Sequence, residues 1–135
     1  MVEKTPEAVR RNDGEMAEIE AIAAGGADRP VLMLNLNRYK PGVGFPDGGL
    51  YRDYMAALDR LLPQVGARIL WRSAVHGQIV GAQAIDEVLA VWYPSHAAFV
   101  AMPRATGAEE NYRLRAACVE QAVIHRCEGD RPPLA

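Results

Sequence analysis

Apolar residues recur along this chain at two different periods, and their order predicts an architecture. From Val31 to Tyr39 they alternate, with Leu32, Leu34 and Leu36 on one side of an extended chain and Met33, Asn35, Asn37 and Tyr39 on the other. This predicts a first strand whose leucine side packs under helices. After the loop KPGVGFPDGGL, Leu50, Tyr54, Leu58, Leu61, Leu62 and Val65 recur at helical spacing. Proline lacks an N–H and clashes with the preceding turn, so Pro63 should kink or end that helix near Leu62. A long, bent second strand is expected over about Ala67 to Val80, and a third over Asp86 to Tyr93, stopped by Pro94, which cannot donate to a ladder. Ser95 caps a helix that turns Ala98, Phe99 and Met102 inward until Pro103 interrupts. Thr106 with Glu109 reads as a fresh capping box, Tyr112, Ala116 and Val119 continue the stripe, and a fourth strand falls at about Ala122 to Cys127.

The resulting β-α-β-β-α-β order predicts an α+β, ferredoxin-like domain over residues 30–128, with one four-stranded antiparallel sheet and both helices on one face. An N-terminal helical extension occupies residues 1–29. Thr5-Pro6 offers one N-cap, and Asn12 with Glu15 a second after a break at Gly14. Met16, Ile19, Ile22 and Ala23 then share a face until Gly25 and Gly26 stop the helix. Residues 129–135 form a frayed, Pro-rich tail. Four strands about 4.8 Å apart leave an uncovered sheet face of roughly 400 Å². A patch of that size calls for a cover, and a second copy of the chain supplies one, enclosing a cavity between the two sheets.

Composition narrows the possible partners. The 135 residues fit one domain, and 50% hydrophobic with 24% charged residues is ordinary for a globular chain. A net charge of -2, with no basic stripe, argues against nucleic acid. The charged N-terminus lacks an apolar signal core and no apolar run approaches roughly 18 residues, so neither export nor a membrane span is expected and the chain reads as cytoplasmic. Cys118 and Cys127 form no C-x-x-C pair and read as reduced thiols. His76, His96 and His125 have no ligand spacing, so neither a metal nor a cofactor is expected. Gly42-x-Gly44, followed by Pro46, is a loop rather than a dinucleotide fingerprint.

Candidate chemistry follows from strand parity. Asn35 and Asn37, opposite the leucines, would line the cavity and bind a ligand, or else bond the other subunit. Tyr39 and Trp92 would add an aromatic lining suited to a planar organic molecule. If Ile69, Trp71 and Val75 underlie the helices, Arg72 and His76 enter the cavity as anion anchor and proton carrier; a bulge would reverse part of that, and the plain alternative is a rim salt bridge and an exposed hairpin histidine. His125 is a second proton-carrier candidate. Cys127, about 6.6 Å along the same strand face, is too far from it for a thiolate pair. His96, on a helix first turn, reads as surface.

The segments VLMLNLNRYK, YRDYMAALDRLLPQVGARILWRSAVHGQIVG, EVLAVWYPSHAAFVAM and EENYRLRAACVEQAVIHRCE resemble the dimeric α+β barrel superfamily, and within it are similar to the family called domain of unknown function 1330. The resemblance spans about Pro30 to Glu128, and its markers, Met33-Leu34-Asn35-Leu36, Val65-Gly66-Ala67-Arg68 and Tyr93-Pro94-Ser95, set the fold rather than a reaction. It implies a homodimer with a small-molecule cavity. Members of the superfamily include cofactor-free monooxygenases, muconolactone isomerase-like proteins, haem-degrading enzymes and stress-responsive barrels. The resemblance thus implies either a cofactor-independent oxygenase or isomerase acting on a small aromatic or enolisable compound, for which strand parity offers Arg72, His76 and His125 as catalytic residues, or a non-catalytic sensing or assembly module. The monooxygenases use an Asn, Trp and His set that Asn35, Trp71 and His76 resemble, but strand parity places Trp71 on the face opposite His76.

Overall fold

A computed structural model of the chain describes residues 10–130, so the expected Thr5-Pro6 cap and the Pro-rich end of the tail lie outside the described residues. In chain order the elements are α1 (Asp13–Ala24), β1 (Val31–Tyr39), α2 (Gly49–Leu61), β2 (Arg68–Ala74), β3 (Glu87–Tyr93), α3 (His96–Ala101), α4 (Ala108–Cys118) and β4 (Val119–Glu128). The sheet has the order β2-β3-β1-β4 with every adjacent pair antiparallel, and the fold is α+β and ferredoxin-like, with α1 as an N-terminal addition.

The helices cover the opposite face of β1 from the one the leucines suggest. Val31, Met33, Asn37 and Tyr39 are buried on the helix side, whereas Leu32, Leu34 and Leu36 stay half-buried on the outer side. Register decides this collectively: Met33 pairs with Val91, Asn35 with Leu89 and Asn37 with Glu87, and all three β3 partners are buried. The core is therefore built from Met33, Leu89, Val91 and Tyr93 against Tyr54, Leu58, Phe99, Met102 and Leu114. Leucine alternation on one strand is outvoted by the strands beside it.

The second strand is also shorter than its composition suggests. It ends at Ala74, and residues 75–86 run as loop from the last bond, Val75 N to Asp86 O at 2.8 Å. A bulge between Ile69 and Trp71 leaves Leu70 unpaired, so Ile69 and Arg72 share the helix-side face while Trp71 turns outward, 46% exposed. The expectation that Trp71 underlies the helices is thereby corrected.

Turn chemistry is mixed. Pro63 ends α2 in a 3₁₀ turn, closed by Gly66 at φ 76°, and Pro103 ends α3 the same way. The two capping boxes do not form. Asn12 precedes α1 without a side-chain cap and Gly14 lies inside the helix unbroken, because Glu15 instead binds Arg126 of β4. At α4 the cap residue is Gly107, while Thr106 is gripped by Gln64, whose amide accepts from Thr106 N at 3.0 Å and donates to its carbonyl. The inward stripe of α4 is Ala108, Asn111, Leu114 and Cys118; Ala116 is exposed.

The start of α3 is held from a distance. Ser95 Oγ accepts from Ala98 N at 3.0 Å, and Asp28, in the α1–β1 connection, accepts from His96 N at 2.8 Å and Ala97 N at 3.0 Å. Three otherwise orphaned helix donors are thus satisfied. Burial raises the Asp28 carboxyl pKa, but the backbone donors of His96 and Ala97, the His96 ring and Arg29 N–H outweigh it and hold the carboxyl below its usual range. His96 is not a surface residue: its ring is buried, with Nδ1 2.9 Å from Asp28 and 3.1 Å from the Arg29 carbonyl.

Candidate functional site

A cavity of about 790 Å³ lies within the chain, between the helix-side face of β1, β3 and β4 and the helices α2, α3 and α4, with α1 at its mouth. It is not between two sheets. Its volume falls within the range of roughly 300–1,000 Å³ usual for small-molecule sites. Met33, Leu58, Leu89, Val91, Phe99 and Met102 supply the apolar part of the wall.

Polar groups interrupt that wall at defined places. Asn37 and Asn111 are each only 2% exposed, yet Asn37 Oδ1 and Asn111 Nδ2 have no protein partner among the described residues, and neither does the buried hydroxyl of Tyr112. All three residues line the cavity. An unsatisfied buried polar atom costs about 1–3 kcal/mol, so three around one cavity, Asn37 on the sheet and Asn111 and Tyr112 on α4, mark a space made to meet something polar. Asn35 also lines it, with Nδ2 donating to the Met33 carbonyl at 3.0 Å.

Behind Asn37 stands a closed polar cluster. Tyr39 donates its hydroxyl proton to Glu87 Oε1 at 2.6 Å, Tyr51 donates to Glu87 Oε2 at 2.5 Å, and Asn37 Nδ2 donates to the Tyr39 oxygen at 3.5 Å. Phe45 roofs the cluster, stacked on Tyr39 with centroids 5.1 Å apart and edge-on to Tyr51 at 5.0 Å. The roof depends on a tight loop in which a side chain on Gly48 would meet Val43 O at 2.5 Å. Burial, then the bond to Glu87, raises both tyrosine pKa values well above the usual phenol range. On the cavity wall, burial pushes Tyr54 up to about 12, although the Arg115 charge and hydrogen bond pull it down.

The lining holds four arginines, Arg10, Arg11, Arg115 and Arg126, against one carboxylate, Glu15. Arg126 bonds Glu15 and lies 3.6 Å from Glu18, Arg115 engages Tyr54, and Arg11 sits over the Phe99 ring at 4.7 Å.

The residues proposed from sequence separate into two groups. Asn35 and Asn37 do line a cavity, and Tyr39 lies directly behind it, but all three face helices rather than a second sheet. Trp92 belongs to the outer face, with its indole N–H donating to the Gly129 carbonyl at 2.9 Å. Arg72, exposed on edge strand β2, borders the Tyr51 hydroxyl electrostatically but does not line the cavity. His76 is exposed in the loop after β2. His125 borders the cavity rim along β4, but its pairing with Leu34 turns its side chain to the outer face. The structure does not bring Arg72, His76 and His125 together.

Glu87, Asn111 and Tyr112 were not singled out. Glu87 shares parity with Leu89, Val91 and Tyr93, and Asn111 precedes Leu114 by three residues on α4; polar residues at core positions were the available signal.

The chain is thus a ferredoxin-like α+β protein with an internal, partly polar cavity. Its likeness to solved structures agrees: it is 27% identical to RPA0582, a protein of unknown function from Rhodopseudomonas palustris, with a TM-score of 0.73, covering 92% of this chain and 98% of that one. The methylated form of RPA0582 gives a TM-score of 0.74 at 27% identity over 97% of this chain and all of the other. No family model matches, and no curated protein does. No helix among the described residues is long and apolar enough to cross a membrane.

Proposed function

We propose that this chain binds a small, largely apolar organic molecule in the cavity between its sheet and helices. The observation that carries the reading is the pair of buried amide atoms, Asn37 Oδ1 and Asn111 Nδ2, left without partners among the described residues in side chains that line a space of about 790 Å³. Binding is favoured over turnover because the inner wall presents tyrosines, amides and hydrocarbon, while Glu15 is tied to Arg126 at the mouth and the His125 side chain points away. Tyrosines with raised pKa values remain hydrogen-bond donors at neutral pH rather than bases.

The same reading places the chain among the dimeric α+β barrels, close to the domain of unknown function 1330 family, as a cytoplasmic homodimer. Support comes from the outer sheet face, where half-buried Leu32, Leu34, Leu36, Val88 and Trp92 and the exposed Trp71 share one side. An apolar patch of this kind, bordered by Arg68, Ser73 and His125 on the same face, favours association.

Native mass spectrometry of the purified protein tests the binding reading, which expects a co-purifying compound that Asn37→Leu and Asn111→Leu release. A panel of phenols and quinols should give no oxygen uptake above the buffer rate. Turnover abolished by replacing Arg72, His76 or His125 would overturn the non-catalytic reading in favour of a cofactor-independent oxygenase or isomerase.

A further inference from the structure

The hydrogen bonds behind the cavity wall determine what its ligand must carry. Tyr39 has one hydroxyl proton, and at 2.6 Å it goes to Glu87, whose second oxygen receives the Tyr51 proton at 2.5 Å. The Tyr39 oxygen can therefore only accept from Asn37, which fixes the amide with Nδ2 toward Tyr39 and Oδ1 on the opposite side. That oxygen is buried without a partner among the described residues, in a side chain lining the cavity, so β1 holds a fixed acceptor. On the facing layer, α4 presents Asn111 Nδ2 and the Tyr112 hydroxyl, both also without protein partners among the described residues.

Resting on the reading that the cavity binds a small molecule, we infer that it selects a compound with a hydroxyl or amide N–H donor for Asn37 and a carbonyl acceptor for Asn111, set across an apolar body. Hydroxy ketones and lactams belong to this class. The body meets Met33, Leu89, Val91 and Phe99. Arg126, Arg115 and Arg11 each have a partner in Glu15, Tyr54 and Phe99, so the donor and acceptor positions set the orientation. A site that holds a hydrogen-bonding group rejects an analogue lacking it strongly, since the protein atom is then buried dry, whereas an extra methylene alters affinity far less. Glu87 and Tyr39 act here as positioning residues: neither lines the cavity, and together they prevent the Asn37 amide from flipping.

The test uses 6-acetyl-2-naphthol, its O-methyl ether, which lacks the donor, and 2-naphthol, which lacks the carbonyl, with binding followed by calorimetry and folding checked by circular dichroism. The wild-type protein should bind the acetyl naphthol at least about tenfold more tightly than either analogue. Asn37→Leu should bring the naphthol and its ether to within about twofold while leaving the 2-naphthol deficit, and Asn111→Leu should do the reverse. Tyr39→Phe should shrink the naphthol-to-ether ratio without weakening the ether, a change that a merely structural tyrosine would not produce. Equal, saturable wild-type binding of the naphthol and its ether overturns the donor rule and leaves the cavity reading intact. Saturable binding by none of the three up to about millimolar concentration overturns both.

Discussion

The two faces of the sheet divide polarity and coverage in an unexpected way. The helix-covered face carries Asn35, Asn37, Tyr39 and Glu87 among its hydrophobic residues, while the face without helices carries Leu32, Leu34, Leu36, Val88 and Trp92. A rule that sends the most apolar side of a strand under the helices fails here. The covered face borders a cavity and needs polar groups with defined partners, and the uncovered face is apolar enough to need a cover of its own. Burial and hydrophobicity separate wherever a protein encloses a space rather than a solid core.

The largest expected effect falls on the covered face. Glu87→Leu leaves the Tyr39 and Tyr51 hydroxyls without their acceptor in a buried setting and should lower the unfolding free energy by about 2–5 kcal/mol in urea titrations. A loss below about 0.5 kcal/mol would mean that the cluster is not held by this carboxylate. On the other face, Leu34→Lys places a charge in the centre of the proposed subunit contact. It should weaken self-association by at least about 2 kcal/mol, roughly thirtyfold in Kd, while far-ultraviolet circular dichroism stays native. Wild-type protein sedimenting as a compact single subunit at micromolar concentration would remove the reason for the leucine face altogether.

Much of this was readable from residue order. Val31 to Tyr39 gave the first strand at its observed limits, Pro63 and Pro103 gave the helix ends, and Ser95 gave its cap, because each rests on local backbone chemistry. The direction of the strand faces was not local. It depends on four strands in register and on a bulge at Leu70 that no periodicity announces. Asn37 and Asn35 were recognisable as polar breaks on a strand face, but Glu87 drew no notice, because its role appears only when β1, β3 and α2 bring two tyrosines to it. The capping boxes failed because long-range partners, Arg126 for Glu15 and Gln64 for Thr106, displaced the local bonds.

A smaller effect concerns how the helical layer is tied down beside the covered face. Asp28→Ala removes two backbone acceptor contacts at the start of α3 and the partner of the His96 ring, and should cost about 1–2 kcal/mol. The pH dependence has a defined sign. The folded-state pKa of Asp28 lies below the ordinary aspartate value of 3.8, so its stabilising contribution is complete above that value and is lost as pH falls through the lower folded value. Acid titration of stability should therefore show a shallower fall below about pH 4 in the variant than in the wild type. Parallel acid limbs would remove Asp28 as the tie between the α1–β1 connection and α3.

The smallest effect distinguishes the cavity within the chain from the one expected between sheets. His76 is exposed in the loop after β2, hydrogen-bonds to no residue in the cavity wall and does not line the cavity, so His76→Ala should leave the affinity for 6-acetyl-2-naphthol within about twofold and stability within about 0.5 kcal/mol. Arg72→Ala should behave similarly toward the probe, with a slight stability change because its charge borders Tyr51. Since both residues were chosen by extrapolating strand alternation beyond a bulge, a tenfold loss of probe affinity in either variant would show that the loop closes over the ligand. In that case the polar groups at Asn37 and Asn111 would be only part of the site.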